Sequence, residues 1–289
     1  MQVAEKIAEF RRLRAECGNV AFVPTMGALH EGHLALIRAA KTHAATVAVS
    51  IFVNPTQFGA NEDLSQYPRP IKADLAKCDA EGVDLVLNPS PQEIYPTGTL
   101  DTIVDLPELT GKLEGRHRPG HFRGVCQVVL KLFNIVRPTV AVFGRKDFQQ
   151  LRVIEAMVEA LDVPVQIVGE PTVRESDGLA LSSRNVYLAP DERRRALSII
   201  GGLRTAKAEY ESGIEQTNRL ESTVRNAIMA RGSVEQGDNL GHIPVSIDYV
   251  QAVDPRTLEP RLAVDGPTIM VVAARIGKTR LIDNLVIRD

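Results

Sequence analysis

The stretch VAFVPTMGALHEGHLALI, Val20 to Ile37, decides how the chain is read. Val20–Pro24 is a short apolar, β-branched run of strand character. Gly27 and Gly32 permit tight backbone paths, and the spacing from Leu34 onward predicts a helix that starts at about Gly32 or His33. Such a junction turns unsatisfied helix N–H groups, and the positive end of the macrodipole, toward whatever lies above the strand. His30 and His33 are three residues apart where the helix begins, so both imidazoles can face one cleft and donate to phosphate oxygens. The plainer alternative has one histidine capping the helix and the other exposed. Isolated histidines usually behave that way; the strand–glycine–histidine–helix context favours the phosphate role. A zinc site needs further ligands at suitable spacing, and H-x-x-H is not the H-E-x-x-H arrangement, so no metal ligand is assigned.

The same rhythm extends outward through the first 175 or so residues. Strand-like runs are expected at Val20–Pro24, Thr46–Val53, Val83–Asn88, Thr139–Gly144 and Pro164–Val168. Helical periods lie between them at His33–Ala45, Ile71–Glu81, Phe122–Val136 and Phe148–Leu161. Alternating strands and helices imply right-handed crossovers and a parallel sheet covered on both faces. The expected fold class is therefore α/β: a doubly wound, Rossmann-like nucleotide-binding domain over residues 1–176, with ligands at the C-terminal ends of its strands. After Gly178 the pattern changes. Helical spacing at Asp191–Tyr210 and Leu220–Arg231, a polar loop at Val234–Gly241, and strand-like runs at Val245–Val253, Thr268–Ala274 and Leu281–Ile287 predict a smaller α+β C-terminal domain, residues 177–289.

Composition excludes several classes of function. Over 289 residues, 44% hydrophobic and 24% charged usage is ordinary for a globular chain. A formal net charge of −2 offers no long-range positive field for nucleic acid or an anionic membrane. Cys17, Cys78 and Cys126 are odd in number and widely spaced, which suits buried, inert thiols in a reducing compartment. Met1–Arg14 lacks the apolar core of a signal peptide, and no run approaches the ~18 apolar residues of a spanning helix. The chain reads as cytoplasmic.

Three further segments carry chemistry-bearing residues. Phe143-Gly144-Arg145-Lys146-Asp147 leaves a predicted strand at its C-terminal end, where Lys146 can meet charge on a phosphate and Asp147 can cap the next helix. Their bland readings are a solvated lysine and a plain cap. Leu181-Ser182-Ser183-Arg184 joins two hydroxyls to a guanidinium, which suits a triphosphate tail or, equally, a hydroxyl-stabilised turn. Residues 59–69, Gly59 to Arg69, are polar and long for a strand–helix connection, as an active-site lid would be.

His-x-Gly-His after the first predicted strand resembles the signature of the nucleotidyltransferase superfamily, which includes class I aminoacyl-tRNA synthetases. The longer string PTMGALHEGH (24–33) resembles the pantoate–β-alanine ligase family in particular. SIFVNPTQFG (50–59), RPGHFRGV (118–125), FGRKDFQQ (143–150), LSSRN (181–185) and ARIGKTRLIDN (274–284) follow in order, so the resemblance spans essentially the whole chain.

The resemblance implies ATP-dependent activation of pantoate as pantoyl-adenylate with release of pyrophosphate, then attack by β-alanine to give pantothenate and AMP. It implies catalytic roles for His30, His33, Lys146 and Arg184. ATP contacts are expected from Met26, Gly27, Ala28, Leu29, His30, Glu31, Gly32 and His33, and from Gly144, Lys146 and Asp147. Arg145 lies within that second ATP-binding stretch but fills a variable place and receives no role of its own. Val173 is expected beside the adenine, and Leu181, Ser182, Ser183 and Arg184 at the phosphates, with the C-terminal domain covering the ATP site. Gln57 and Gln150 are expected to hold pantoate through neutral amides, with Met26 against its dimethyl carbon and Tyr67 anchoring the lid. Mg²⁺ is expected to accompany ATP on its phosphates, and the assembly to be a homodimer. His121 and Arg123 precede a long helix and are left among capping, substrate contact and support of Gln57. The competing enzyme reading is another H-x-G-H nucleotidyltransferase with a different acid or phosphate acceptor, and the non-enzymatic one is a nucleotide-binding module without turnover.

Overall fold

Strand formation begins earlier than the apolar runs suggest. In the computed structural model, which describes residues 1–59, 64–98, 102–230 and 243–289, a three-residue strand β1 (Gln2–Ala4) leads through helix α1 (Ile7–Ala15) to β2 (Val20–Thr25). Then come α2 (Glu31–His43), β3 (Thr46–Ile51), α3 (Ile71–Ala80) and β4 (Leu85–Leu87). Three short helices, α4 (Pro91–Ile94), α5 (Pro107–Thr110) and α6 (Leu113–His117), precede α7 (His121–Val136), β5 (Val140–Gly144), α8 (Phe148–Ala160) and β6 (Gln166–Glu170).

The six strands form one parallel sheet in the order β1-β4-β3-β2-β5-β6. Its central strands are buried on both faces, with Val20 to Val23 fully enclosed, as a helix-covered parallel sheet requires. On one face Ala21 and Val23 pack with Ile37 and Ala40 of α2. On the other, Phe22 meets the edge of Phe133 of α7 at 6.4 Å. From β2 the chain steps outward to β3 and β4, then returns to place β5 on the opposite side of β2. The strand order thus reverses between β2 and β5, the point at which a doubly wound sheet places its ligand site.

This sheet belongs to one compact unit, Met1–Val173; a second comprises Arg174–Asp289. In the second, α9 (Pro190–Glu211) and α10 (Thr217–Met229) pack on an antiparallel sheet of β7 (Val245–Val253), β8 (Thr268–Ile276) and β9 (Thr279–Arg288). Pro190 opens α9, where its missing N–H costs nothing. The polar loop expected at Val234–Gly241 lies outside the described residues.

Three of the differences from the sequence reading have a plain physical reason. β1 pairs with β4 as a very short edge strand, too brief to show an alternation. The strand expected from Pro164 begins at Gln166, because Val163 still bonds back to Val158 in the turn leaving α8. Helix α2 starts at Glu31, since His30 is its cap.

Candidate active site

The candidate site is built from the loops beyond β2, β3 and β5. Beyond β2, His30 is extended (φ −134°, ψ 174°) and its Nδ1 accepts the Gly32 N–H at 3.2 Å. His33 reaches back, and its Nδ1 accepts the His30 N–H at 3.3 Å. This is a reciprocal capping box with histidine in both places. Because Nδ1 accepts in each ring, each neutral imidazole carries its proton on Nε2. The rings lie 4.2 Å apart between centroids. Burial, then the nearby Lys146 charge, lowers the His30 pKa to about 4; burial, then His30, Lys146 and Lys77, lowers that of His33 to about 3. Both rings are therefore neutral Nε2–H donors near pH 7. Of the two readings open in the sequence, capping is observed at His30, while His33 is tied back to the His30 N–H rather than left exposed.

Gly27 (φ 83°) and Ala28 (φ 51°) both take the left-handed conformation, which costs an alanine roughly 1–2 kcal/mol. Asp74 of α3 supplies the compensation. Its Oδ2 accepts the Ala28 N–H and its Oδ1 the Leu29 N–H, each at 2.8 Å. Lys77, one turn along α3, donates to the Leu29 carbonyl. A Cβ on Gly27 would lie 3.0 Å from Asp74 Oδ2, so the tight seat and the glycine belong together. The Ala28 and Leu29 amides are thus committed to the protein, whereas the sequence reading directs this stretch toward ATP. Glu31 points its carboxylate to Arg38.

Beyond β3, Asn54 organises the next loop. Its Oδ1 accepts from Tyr95 Oη at 2.7 Å, and its Nδ2 donates to the Gly124 carbonyl at 3.1 Å and to Gln57 Oε1 at 3.2 Å. The Gln57 amide orientation is thereby set, with Nε2 at 2.8 Å from Met26 Sδ. His121 Nδ1 lies 2.8 Å from the Gln57 carbonyl and Arg118 approaches His121 Nε2 at 3.2 Å. Of the roles open to His121, support of Gln57 is the one observed, while Arg123 pairs with Asp105 instead. A Cβ on Gly124 would come within 2.4 Å of the Thr56 carbonyl, so only glycine lets α7 approach this loop. Residues 60–63 of the expected lid lie outside the described residues; next to them, Tyr67 is buried and meets the Phe58 ring at 5.9 Å.

Beyond β5, Gly144 ends the strand and Arg145 donates to the Gly169 carbonyl of β6 at 2.9 Å. Lys146 is close enough to His30 and His33 to depress both rings, and its Nζ is 3.7 Å from Asp147 Oδ1. Asp147 stands before α8, but its side chain makes no capping hydrogen bond, which corrects the expected capping role: the carboxylate leans toward Lys146. Gln150 lies half-buried in the first turn of α8. Its neighbour Gln149 is the structural amide, bonded to Glu114 N and to the Leu109 and Lys112 carbonyls.

Val173 is the last residue of the first unit. In the second unit, Ser182 Oγ accepts the Arg184 N–H at 3.3 Å at the start of a short helical turn, Ser183–Tyr187, which follows Leu181. Asn185 Nδ2 donates to Glu175 Oε1 and the Ala180 carbonyl. Among the described residues no group of three or more His, Cys, Asp or Glu gathers as metal ligands. Cys78 and Cys126 are buried and free, and burial raises their thiols to about 11 and about 12.

Residues 2–286 match the family model described as pantoate-beta-alanine ligase. The chain belongs to that family. A pantothenate synthetase of Pelotomaculum thermopropionicum is 47% identical over 285 residues, covering 99% of this chain and 97% of the relative. The crystal structure of pantothenate synthetase from Thermus thermophilus superimposes with a TM-score of 0.91 at 41% identity, covering all of both chains. The Francisella tularensis pantoate-beta-alanine ligase, solved in complex with β,γ-ATP and β-alanine, gives 0.78 at 33% identity, covering 99% and 98%.

Sequence reading of the family motifs misses Asp74 and Lys77. One signal was present: Ile71, Asp74, Leu75 and Cys78 form a helical stripe, and a carboxylate on an apolar stripe demands buried donors.

Proposed function

We propose that this chain condenses pantoate with β-alanine at the expense of ATP, through a pantoyl-adenylate. The observation that carries the reading is the pair of neutral Nε2–H imidazoles beside Lys146, set where the strand order reverses. Membership of the ligase family and the nucleotide and β-alanine bound to the Francisella tularensis relative support the choice of substrates.

In this mechanism the pantoate carboxylate attacks the α-phosphorus and pyrophosphate departs with the electron pair. The β-alanine amine then attacks the acyl carbon, and AMP leaves as pantothenate forms. No protein nucleophile is required; the protein supplies placement and charge stabilisation. His30 and His33 donate through Nε2 and Lys146 adds full positive charge, all directed at phosphate oxygens. Gln57, oriented by Asn54, bonds pantoate without the ion pair that would blunt its carboxylate, and Gln150 and Met26 complete that subsite. Ser182, Ser183 and Arg184 are assigned to the triphosphate and Val173 to the adenine. Mg²⁺ enters as part of the ATP substrate, held by phosphate oxygens. A cytoplasmic homodimer belongs to the same proposal and is checked by sedimentation. Among the described residues, no helix is long and apolar enough to cross a membrane.

The deciding experiment is pantoate-dependent exchange of labelled pyrophosphate into ATP, with Mg²⁺ present and β-alanine absent. Exchange that requires pantoate supports the adenylate. Absence of exchange by a protein that binds ATP overturns the choice of acceptor.

A further inference from the structure

We propose that Asp74 and Lys77 of α3 are positioning residues, which hold His30 and His33 in their reactive arrangement by gripping Leu29 at both its N–H and its carbonyl. The inference rests on the adenylation reading above for its catalytic meaning.

Three features of the geometry support it. Asp74 is only 1% exposed, yet its carboxylate spends both oxygens on backbone amides, those of Ala28 and Leu29. Such charge-assisted bonds are among the stronger ones a loop can have, and losing the carboxylate strands two N–H groups where water is scarce. Lys77 lies three residues further on the same helix face and takes the Leu29 carbonyl. Leu29 immediately precedes His30, whose own N–H is held by His33. A continuous series therefore runs from α3 through the two peptides that flank Leu29 to both rings.

The backbone explains why a clamp is needed. Gly27 and Ala28 are successive left-handed residues, and a strained alanine persists only where its surroundings over-determine it. Released from Asp74, the Ala28 peptide can relax to an extended form, which would swing the start of α2 and its two histidines away from Lys146. Displacements of about 1 Å cost on the order of 10² in rate when reacting groups must be aligned.

The test compares the full-length wild type with Asp74→Asn, in which the amide nitrogen can no longer accept from a backbone N–H. Two quantities are read: pantoate-dependent pyrophosphate exchange at varied ATP, and hydrogen exchange of the backbone amides without substrate. The expected result is a fall in kcat of about 10- to 100-fold with ATP KM within about threefold, and faster hydrogen exchange confined to Ala28, Leu29 and the first turn of α2. Lys77→Met, which keeps the stem and removes the donor, is expected to show the same pattern more weakly. Unchanged kcat and protection in Asp74→Asn would overturn the proposal, as would protection lost evenly across the first unit. If Asp74→Asn fails to fold, Lys77→Met decides, and wild-type kcat and protection in it count against the clamp. A wild type without pantoate-dependent exchange sinks the adenylation reading alone, because the substrate-free amide protection is still read.

Discussion

Two loops bearing candidate residues are each organised around carboxylates, and they are held in opposite ways. Residues 26–30 are gripped by the buried Asp74 acting directly on backbone amides. Residues 175–185 are tied by longer side chains: Arg193 donates to Glu175 at 3.0 and 2.8 Å and to Asp177 at 2.5 Å, and Asn185 also reaches Glu175. There the charged groups are about one-third exposed. A buried carboxylate on N–H groups sets peptide planes and has no substitute when removed. Ion pairs that are one-third exposed have water as an alternative partner, so they bias a loop without dictating it. The first arrangement suits groups that must be aligned to a fraction of an ångström, and the second suits a loop that has to adapt to a ligand.

The largest effects should appear in the groups that the buried clamp serves. His33→Ala and Lys146→Ala are each expected to lose about 10²–10³ in kcat while retaining the wild-type circular dichroism, by analogy with removal of a preorganised donor. Near-wild-type turnover by either would remove it from the catalytic set. Next in size, Gly124→Ala pushes a Cβ into the Thr56 carbonyl and should destabilise the first unit by about 1–3 kcal/mol and raise pantoate KM. An unchanged melting midpoint would show that the loop beyond β3 yields more readily than its packing implies. Breaking the exposed tie is expected to matter less. Arg193→Ala should change stability by no more than about 1 kcal/mol, with its main effect on ATP KM. A loss as large as that of Asp74→Asn would erase the contrast between the two loops.

A separate test is one of pH. His30 and His33 have folded pKa values of about 4 and about 3, below the 6.5 of an unperturbed imidazole. Between those values the unfolded chain binds more protons, so these rings subtract stability as pH falls from 6.5 toward 3 and contribute nothing above it. Urea midpoints should therefore decline below pH 6.5, and decline less steeply in His33→Gln. Equal slopes would mean that His33 is charged in the folded protein.

Much of the fold was legible because it follows from local chemistry. Fully buried parallel strands must be unbroken apolar runs, and the helices between them must show an apolar stripe, so Val20–Pro24 and His33–Ala45 stand out at sight. The His30–His33 pair was legible for the same reason, being local to one turn. Asp147 was misjudged because capping depends on a side-chain torsion, and the Lys146 ammonium competes for its carboxylate. Gln57 was singled out as a polar residue beyond a strand end. Its orientation, however, depends on Asn54, Tyr95 and His121, which converge on it from loops up to 64 residues away.

Residue order was enough to set the alternation of strand and helix, the places where glycine must turn the chain, and the motifs that place it among the pantoate-β-alanine ligases. Only the folded chain settled the strand order, with its reversal between β2 and β5, and the proton position on each imidazole. The same holds for the meeting of Asp74 with the Ala28 and Leu29 amides, 46 and 45 residues away along the chain. The difference is one of range. Propensity and periodicity act within a turn or two, whereas hydrogen-bond partnership and desolvation depend on which distant segments the fold packs together.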